Sequence, residues 1–402
     1  MSQWISIVGI GEDGLDGLLP AARTLVEEAN VLVGGKRHLA KVPAGEAERI
    51  DWKDGFDTAF DEIARHEGRR VVVLASGDPL HFGVGSNIVR RFGIDNVAVF
   101  PAPGAFSLAA SRMGWSLADV RCLTVHGRPL EAVILHLAPG QRLLILSGDA
   151  ETPGRLAEML VGQGFGPSPM PVLENMGGDR ETRLDGSAEK WRHQAGADLN
   201  TIAVECAAGP TAKIRPLVPG LPEDAYEHDG LITKREVRAN TLARLMPLPR
   251  HVLWDVGAGA GSVAIEWLRA APSAIASAIE SNPKRAAAIG RNAVALGVPG
   301  LKVIEGEAPG VLEGLEPRPD AIFLGGGVSV PGLLEACWGM LSGGGRLVAN
   351  GVTLEAEQRL LAFRNESGGD LVRIGVSRAA PVGRLHAFRP LKEVTQLAAV
   401  KE

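Results

Sequence analysis

Short apolar runs alternate with stretches of helical periodicity along almost the whole chain. Ile5–Ile10 reads as a strand, 18–30 carries apolar residues at helical spacing with Pro20 near its start, Val31–Val33 is a short strand, and 56–65 is helical. Val71, Val72, Val73, Leu74 and Ala75 form an unbroken apolar run, the pattern of a strand buried on both faces of a parallel sheet. Ser76-Gly77-Asp78-Pro79 ends it, because this is turn chemistry that cannot continue a ladder. The pattern predicts further strands at 97–100, 121–125, 143–146, 170–173 and 201–205.

Periodicity then fails. Residues 209–226 hold four prolines and no repeat of either period, which suggests a stiff extended connector. Domains are therefore expected at 1–208 and 231–402, with a proline-rich linker over 209–230. In the second half helices are predicted at 234–245, 262–270, 283–296, 330–341 and 354–366. Strands are predicted at 251–255, 275–280, 302–305, 321–324 and 346–350. Repeated β-α units require a mainly parallel sheet with helices on both faces. Two final strands, 371–376 and 386–389, have no helix between them and imply a terminal hairpin with an antiparallel edge.

Composition narrows this to a soluble α/β enzyme. Of 402 residues, 45% are apolar and 22% charged, and aromatics make up only 4% beside 51 glycines. No apolar run approaches the length of a membrane span, and the N-terminus shows no signal-peptide pattern, so a cytoplasmic protein is expected. Cys122, Cys206 and Cys337 lie far apart in no metal-ligand spacing and read as buried thiols; no metal site is expected. Residues 1–215 carry 22 Lys+Arg against 27 Asp+Glu, and residues 216–402 carry 20 of each. Neither half has the basic excess of a nucleic-acid binder.

Two glycine-rich loops carry the chemistry. The later one is Asp255-Val256-Gly257-Ala258-Gly259-Ala260-Gly261, between a strand and a helix. Glu280 closes the next strand, where an acidic residue would take ribose hydroxyls. A dinucleotide site wants a third glycine where Ser262 stands. The spacing resembles the first motif of class I S-adenosylmethionine-dependent methyltransferases. That resemblance implies a cofactor site at Asp255, Gly257, Ala258, Gly259, Ala260, Gly261 and Glu280. It also implies Thr233 just before the core, and Glu307 and Ala308 near the adenine.

The earlier loop, Gly9-x-Gly11-x-x-Gly14, satisfies the dinucleotide pattern, which would make the chain a two-domain NAD(P)-dependent oxidoreductase. Glu12 and Asp13 would then face pyrophosphate, an unfavourable placement. Joined to Ser76-Gly77-Asp78-Pro79 and to Pro101-Ala102-Pro103-Gly104-Ala105-Phe106-Ser107, the loop instead resembles the tetrapyrrole (class III) methyltransferases. In that family the cofactor folds into a cleft between two α/β lobes, which implies a site at Gly9, Gly11, Ser76, Gly77, Asp78 and Ser107. Ser76 departs from the commoner glycine.

The two resemblances together imply a two-lobed tetrapyrrole-methylase fold followed by a doubly wound, Rossmann-like class I domain, with two S-adenosylmethionine sites per chain. The implied reaction methylates meso carbons 5 and 15 of a precorrin and decarboxylates an acetate side chain, in cobalamin biosynthesis. Homo-oligomers are common among class III domains. A scaffold that binds the cofactor without turnover is the non-catalytic alternative. Such a substrate carries many carboxylates, so cations should meet it. Lys234, Arg235 and Arg238, at the start of one helix, are the candidates, against the alternative of a solvated helix face. Lys36-Arg37-His38 is a weaker one. His81 and His126 lie near motifs and read as structural residues more readily than as proton carriers.

Overall fold

In the computed structural model, which describes residues 3–52 and 55–402, the apolar run at 71–75 is the middle strand of a five-stranded parallel sheet. Its strands are β1 (Ile5–Ile10), β2 (Val31–Val33), β3 (Glu48–Ile50), β4 (Val71–Ser76) and β5 (Val97–Phe100), ordered β3-β2-β4-β1-β5. Helices α1 (Pro20–Glu27), α2 (Lys36–Leu39), α3 (Phe56–Ala64) and α4 (Gly85–Phe92) join them. Period-two alternation divides the core. Ile5, Ile7, Val71 and Val73 pack with Ile63 and Ile88, whereas Val8, Ile10, Val72 and Leu74 pack with Val26 and Leu39.

A second sheet follows, from β6 (Val120–Thr124), β7 (Arg142–Leu146), β8 (Val172–Glu174), β9 (Thr182–Leu184) and β10 (Asn200–Glu205), ordered β6-β7-β10-β8-β9. Only its β6–β7 pair is parallel. Phe106, Ala109 and Ala110 of α5 (Ala105–Met113) pack on Leu144, Leu173 and Ala203, and α6 (Thr152–Gly162) completes this lobe. Strands β3 and β9 escaped the sequence reading because each has three residues and no fully buried one.

The chain clusters into two units, Met1–Leu130 with Ala138–Lys213, and Glu131–Leu137 with Ile214–Glu402. The second unit runs α7 (Arg235–Leu245), β11 (Val252–Val256), α8 (Ser262–Ala270), β12 (Ile275–Glu280), α9 (Pro283–Ala295), β13 (Lys302–Glu305), β14 (Ala321–Leu324), α10 (Leu333–Met340), β15 (Arg346–Gly351), α11 (Leu354–Ser367), β16 (Asp370–Ile374), β17 (Ser377–Val382), β18 (Leu385–Pro390) and β19 (Val394–Val400). Its seven-stranded sheet has the order β13-β12-β11-β14-β15-β19-β16, parallel except for β19. Val252, Trp254 and Val256 face α10 and α11, and Leu253 faces α8 and α9. The same alternation turns Asp255 toward α8. Among the described residues no helix is long and apolar enough to cross a membrane.

The terminal strands differ from expectation. The antiparallel edge exists, but β19 makes it by inserting between β15 and β16, while β17 and β18 form a separate two-stranded hairpin. Buried Val394 and Leu397 draw the last strand into the sheet, and every residue of β18 stays exposed.

The proline-rich stretch is also less of a connector than its composition suggests. From Ile214 onward it belongs to the second unit, and Leu221 and Tyr226 are buried. Glu266 of α8 gathers it in. Its Oε1 accepts from Leu221 N (2.9 Å), Tyr226 Oη (2.8 Å) and Arg238 Nε (2.8 Å), and its Oε2 accepts from Gly220 N (2.7 Å). Arg238, wholly buried, also donates to the carbonyls of Thr233 and Leu221 and lies 5.0 Å over the Tyr226 ring. Removing one partner strands the other charge in the interior, at a cost of about 3–5 kcal/mol. Glu266→Ala is therefore expected to lower the urea-unfolding free energy of the second unit by that amount. A loss under about 1 kcal/mol, the range of exposed pairs, contradicts the burial argument.

Candidate functional site

Three segments of the first unit meet at the carboxyl ends of β1 and β4. Ala102 N donates to Gly77 O (3.1 Å) and Gly77 N to Ile10 O (3.3 Å). A Cβ placed on Gly9 would lie 1.8 Å from Gly77 O and 2.7 Å from Ala102 N. One on Gly77, whose φ is +52°, would lie 2.5 Å from Gly104 Cα. Only glycine permits backbones this close, so the spacing of the three motifs reflects one junction. Asp78 turns the chain there, its Oδ1 accepting from Leu80 N (2.9 Å). Ser107 is exposed in the first turn of α5.

The junction's polar rim comes from α2 and the residues after it. Lys41 Nζ reaches Gly11 O (2.6 Å) and Glu12 Oε1 (2.5 Å), and Arg37 pairs with the same carboxylate. Burial works to raise the Glu12 carboxyl, yet the Lys41 hydrogen bond and both cations hold it below the usual range. The negative charge that the sequence set against pyrophosphate is thus already compensated, and that electrostatic objection weakens. A structural one remains. The first α-helix starts only at Pro20, so the loop lacks the helix N-terminus on which a dinucleotide fingerprint depends. Arg37, Lys41 and Arg180, with Glu12 and Asp179, line an open cleft of about 460 Å³. A smaller cavity of about 270 Å³, around Glu174 and Trp191, includes none of the junction residues.

In the second unit Gly257, Gly259 and Gly261 all have φ between +59° and +72°. A Cβ on Gly257 would meet the backbone of Gly326 at 3.0 Å, and one on Gly261 would meet Ile289 at 2.6 Å. Ala260 between them is buried. The N–H groups of Gly257 and Ala258 both donate to Ile279 O at 3.0 Å. Glu280 Oε2 accepts from Gly259 N (2.8 Å) and Oε1 from Asn282 N (2.9 Å), which fixes its carboxylate beside the loop. Gly306 N donates to Glu280 O (3.1 Å), bringing the exposed Glu307 and half-buried Ala308 alongside. Leu231 O lies 3.2 Å from where a Gly259 Cβ would be, so the segment holding Thr233 borders the cradle.

Asp255 is the unusual group. It is buried, its Oδ2 accepts from Ala264 N (3.0 Å), and its Oδ1 has no hydrogen-bond partner among the described residues. Burial, reinforced by the Glu280 charge, pushes its carboxyl up to about 7 against the Ala264 hydrogen bond. A buried acceptor left open beside a glycine cradle fits a ligand that brings its own cationic donor.

The expected substrate cations separate. Arg238 is not a substrate contact, because its donors are consumed inside the fold as described above. Lys234 is half-buried at the N-cap of α7 and Arg235 is exposed beyond it. Of the weaker trio, Arg37 and His38 both reach Ser76 Oγ, at 2.9 and 2.8 Å. His81 packs on Phe106 (4.8 Å between rings) and His126 is exposed. Three contributors escaped the sequence reading. Gly326 was legible in the Gly325-Gly326-Gly327 run after β14; Lys41 and Arg180 join the rim only through the fold. Burial pushes the thiols of Cys206 and Cys337 up to about 11 and about 12, leaving both protonated and inert.

A family model of tetrapyrrole (corrin/porphyrin) methylases matches residues 5–191, and one of a precorrin methyltransferase domain matches residues 224–401. A precorrin-6Y C(5,15)-methyltransferase (decarboxylating) of Sinorhizobium sp is 48% identical over 399 residues, covering 98% of this chain and 96% of that protein. Two shorter relatives come from Salmonella typhimurium. A cobalt-precorrin-7 C(5)-methyltransferase is 33% identical over 178 residues, 44% of this chain and 87% of its own. A cobalt-precorrin-6B C(15)-methyltransferase (decarboxylating) is 35% identical over 175 residues, 42% of this chain and 90% of its own.

Asp255 makes a pH prediction. Unfolded, it ionises near the ordinary value of about 3.9; folded, it holds its proton up to about 7. A pKa raised by folding gives stability that is fully present below about pH 4 and is lost as pH rises through 7. The wild-type minus Asp255→Asn difference in unfolding free energy of the second unit is expected to decline from pH 4 to pH 7 and then level off. A flat difference would falsify the raised pKa.

Proposed function

The chain belongs to the decarboxylating precorrin-6Y C(5,15)-methyltransferases, and from that premise we propose one methyl-transfer site in each of its two units. The enzyme moves two methyl groups from S-adenosylmethionine to meso carbons 5 and 15 of a reduced precorrin and decarboxylates an acetate side chain, a step of cobalamin biosynthesis. The observation that carries the two-site reading is the pair of unlike glycine junctions, each closed to any side chain larger than hydrogen. The half-length relatives support it, since one is named for the C(5) reaction and the other for C(15) with decarboxylation.

S-adenosylmethionine, when bound, supplies an activated methyl group. The protein's part is to hold and align. In the second unit Asp255, with its open Oδ1, would hold the ammonium of that group, and Glu280, fixed by its backbone bonds to Gly259 and Asn282, would take ribose hydroxyls. In the first, the close backbone junction of Gly9, Gly77 and Gly104 would border that group. Arg37, Lys41 and Arg180 at the cleft suit a substrate bearing several carboxylates. The electron-rich macrocycle is itself the nucleophile, so no Ser or Cys attack is required. Alignment of two bound reactants contributes about 7–11 kcal/mol toward the barrier.

Full-length Glu280→Ala tests the assignment. A charged hydrogen bond contributes about 1.5–3 kcal/mol, so binding at one site should weaken roughly 10- to 100-fold while the other is unchanged. Calorimetry with S-adenosylhomocysteine reads both sites. Under limiting cofactor the variant should accumulate a singly methylated precorrin, and Gly9→Ala the complementary one; their masses show which site accompanies loss of CO2. Equal weakening of both sites would mean that Glu280 acts on folding, and the assignment fails.

A further inference from the structure

At the edge of the first junction Ser76 meets two neighbours from α2. Its Oγ lies 2.9 Å from Arg37 Nη2 and 2.8 Å from His38 Nε2. Arginine only donates, so Oγ accepts there and its own proton is free to point at His38. Arg37 Nη2 also lies 3.3 Å from His38 Nε2. A donor facing that nitrogen from both sides leaves it bare and puts the ring proton on Nδ1, which is buried and has no partner among the described residues. The charged groups around the ring are Arg37, Lys41 and Glu12. Burial first, then the two cations, bring the imidazole down to about 4 against the Glu12 charge, so it is neutral at physiological pH. A hydroxyl directed at a neutral, bare imidazole nitrogen is the arrangement of a positioned general base.

We propose that Ser76 and His38 form the proton-accepting pair of methyl transfer in the first unit. The inference rests on the reading that this unit methylates a meso carbon. That carbon carries hydrogen before reaction and methyl afterwards. Its π electrons form the new C–C bond as the S–CH3 bond breaks, with that pair staying on sulfur. The C–H bond must then break, its electron pair restoring conjugation in the ring and its proton leaving. Ser76 Oγ takes that proton while its own passes to His38 Nε2. The proton comes from a carbon conjugated to a positively charged ring, so a weak base suffices. The same low basicity lets His38 shed it to solvent before the next turnover.

Ser76→Ala and His38→Asn in the full-length chain test the pair. Turnover in the first unit should fall about 10²- to 10⁴-fold in both variants, with S-adenosylhomocysteine affinity unchanged in His38→Asn. Substrate deuterated at the meso carbons should show a primary isotope effect larger than in the wild type, because proton loss becomes limiting. The second unit's product should form at the wild-type rate. Nitrogen-15 NMR of histidine-labelled wild type should show His38 neutral with its proton on Nδ1, a readout independent of turnover, and Ser76→Ala should disturb that tautomer. A wild-type proton on Nε2 overturns the proposal. So does unchanged turnover, or a loss carried by KM with no isotope effect, which would mean a merely structural role. A wild type that never makes doubly methylated product overturns the functional reading instead, while the NMR result still judges the pair.

Discussion

Both glycine junctions depend on one steric constraint: backbone meets backbone with no room for a Cβ. Gly9 against Gly77 and Ala102, and Gly257 against Gly326, place the carboxyl ends of two strands closer than any side chain allows. The constraint has a cost, since glycine gives up the most conformational freedom on folding. Strands buried on both faces offset it by holding the chain ends in register; β1 and β4 pair over six residues and β11 is buried throughout. Rigid sheet and permissive loop are therefore two halves of one device, the first fixing position and the second leaving space.

Charge is used in opposite ways in the two units. The second seals Arg238 and Glu266 in the interior, where the pair ties residues 220–238 to α8 and is unavailable to any ligand. It leaves one oxygen of Asp255 without a partner among the described residues, and burial pushes that carboxyl up to about 7. The first unit keeps its ions at a cleft, where Glu12 shares Arg37 and Lys41. A carboxylate-rich substrate brings its own anions to such a rim and competes for the same cations, whereas a sealed pair answers only to folding.

Much of this was written in the chain. Periodicity of two against 3.6 set out the β-α order of both halves, because alternation and helical stripes are local consequences of where the core lies. Gly9, Gly77, Gly257, Gly259, Gly261, Asp255 and Glu280 stood out because turns, strand ends and acidic residues occupy stereotyped places in such loops. Tertiary structure alone decided the rest. Arg238 looked like its neighbours Lys234 and Arg235, and only the position of Glu266, 28 residues away, made it a buried structural cation. The last strand joined β15 because Val394 and Leu397 found a core there, which no local pattern states. The bond between Ser76 and His38 spans 38 residues, and Arg180 reaches the cleft from the far side of its unit's sequence. Sequence determines the elements and the loops that chemistry requires; long-range packing determines which charges meet, since burial and pairing are properties of position in space.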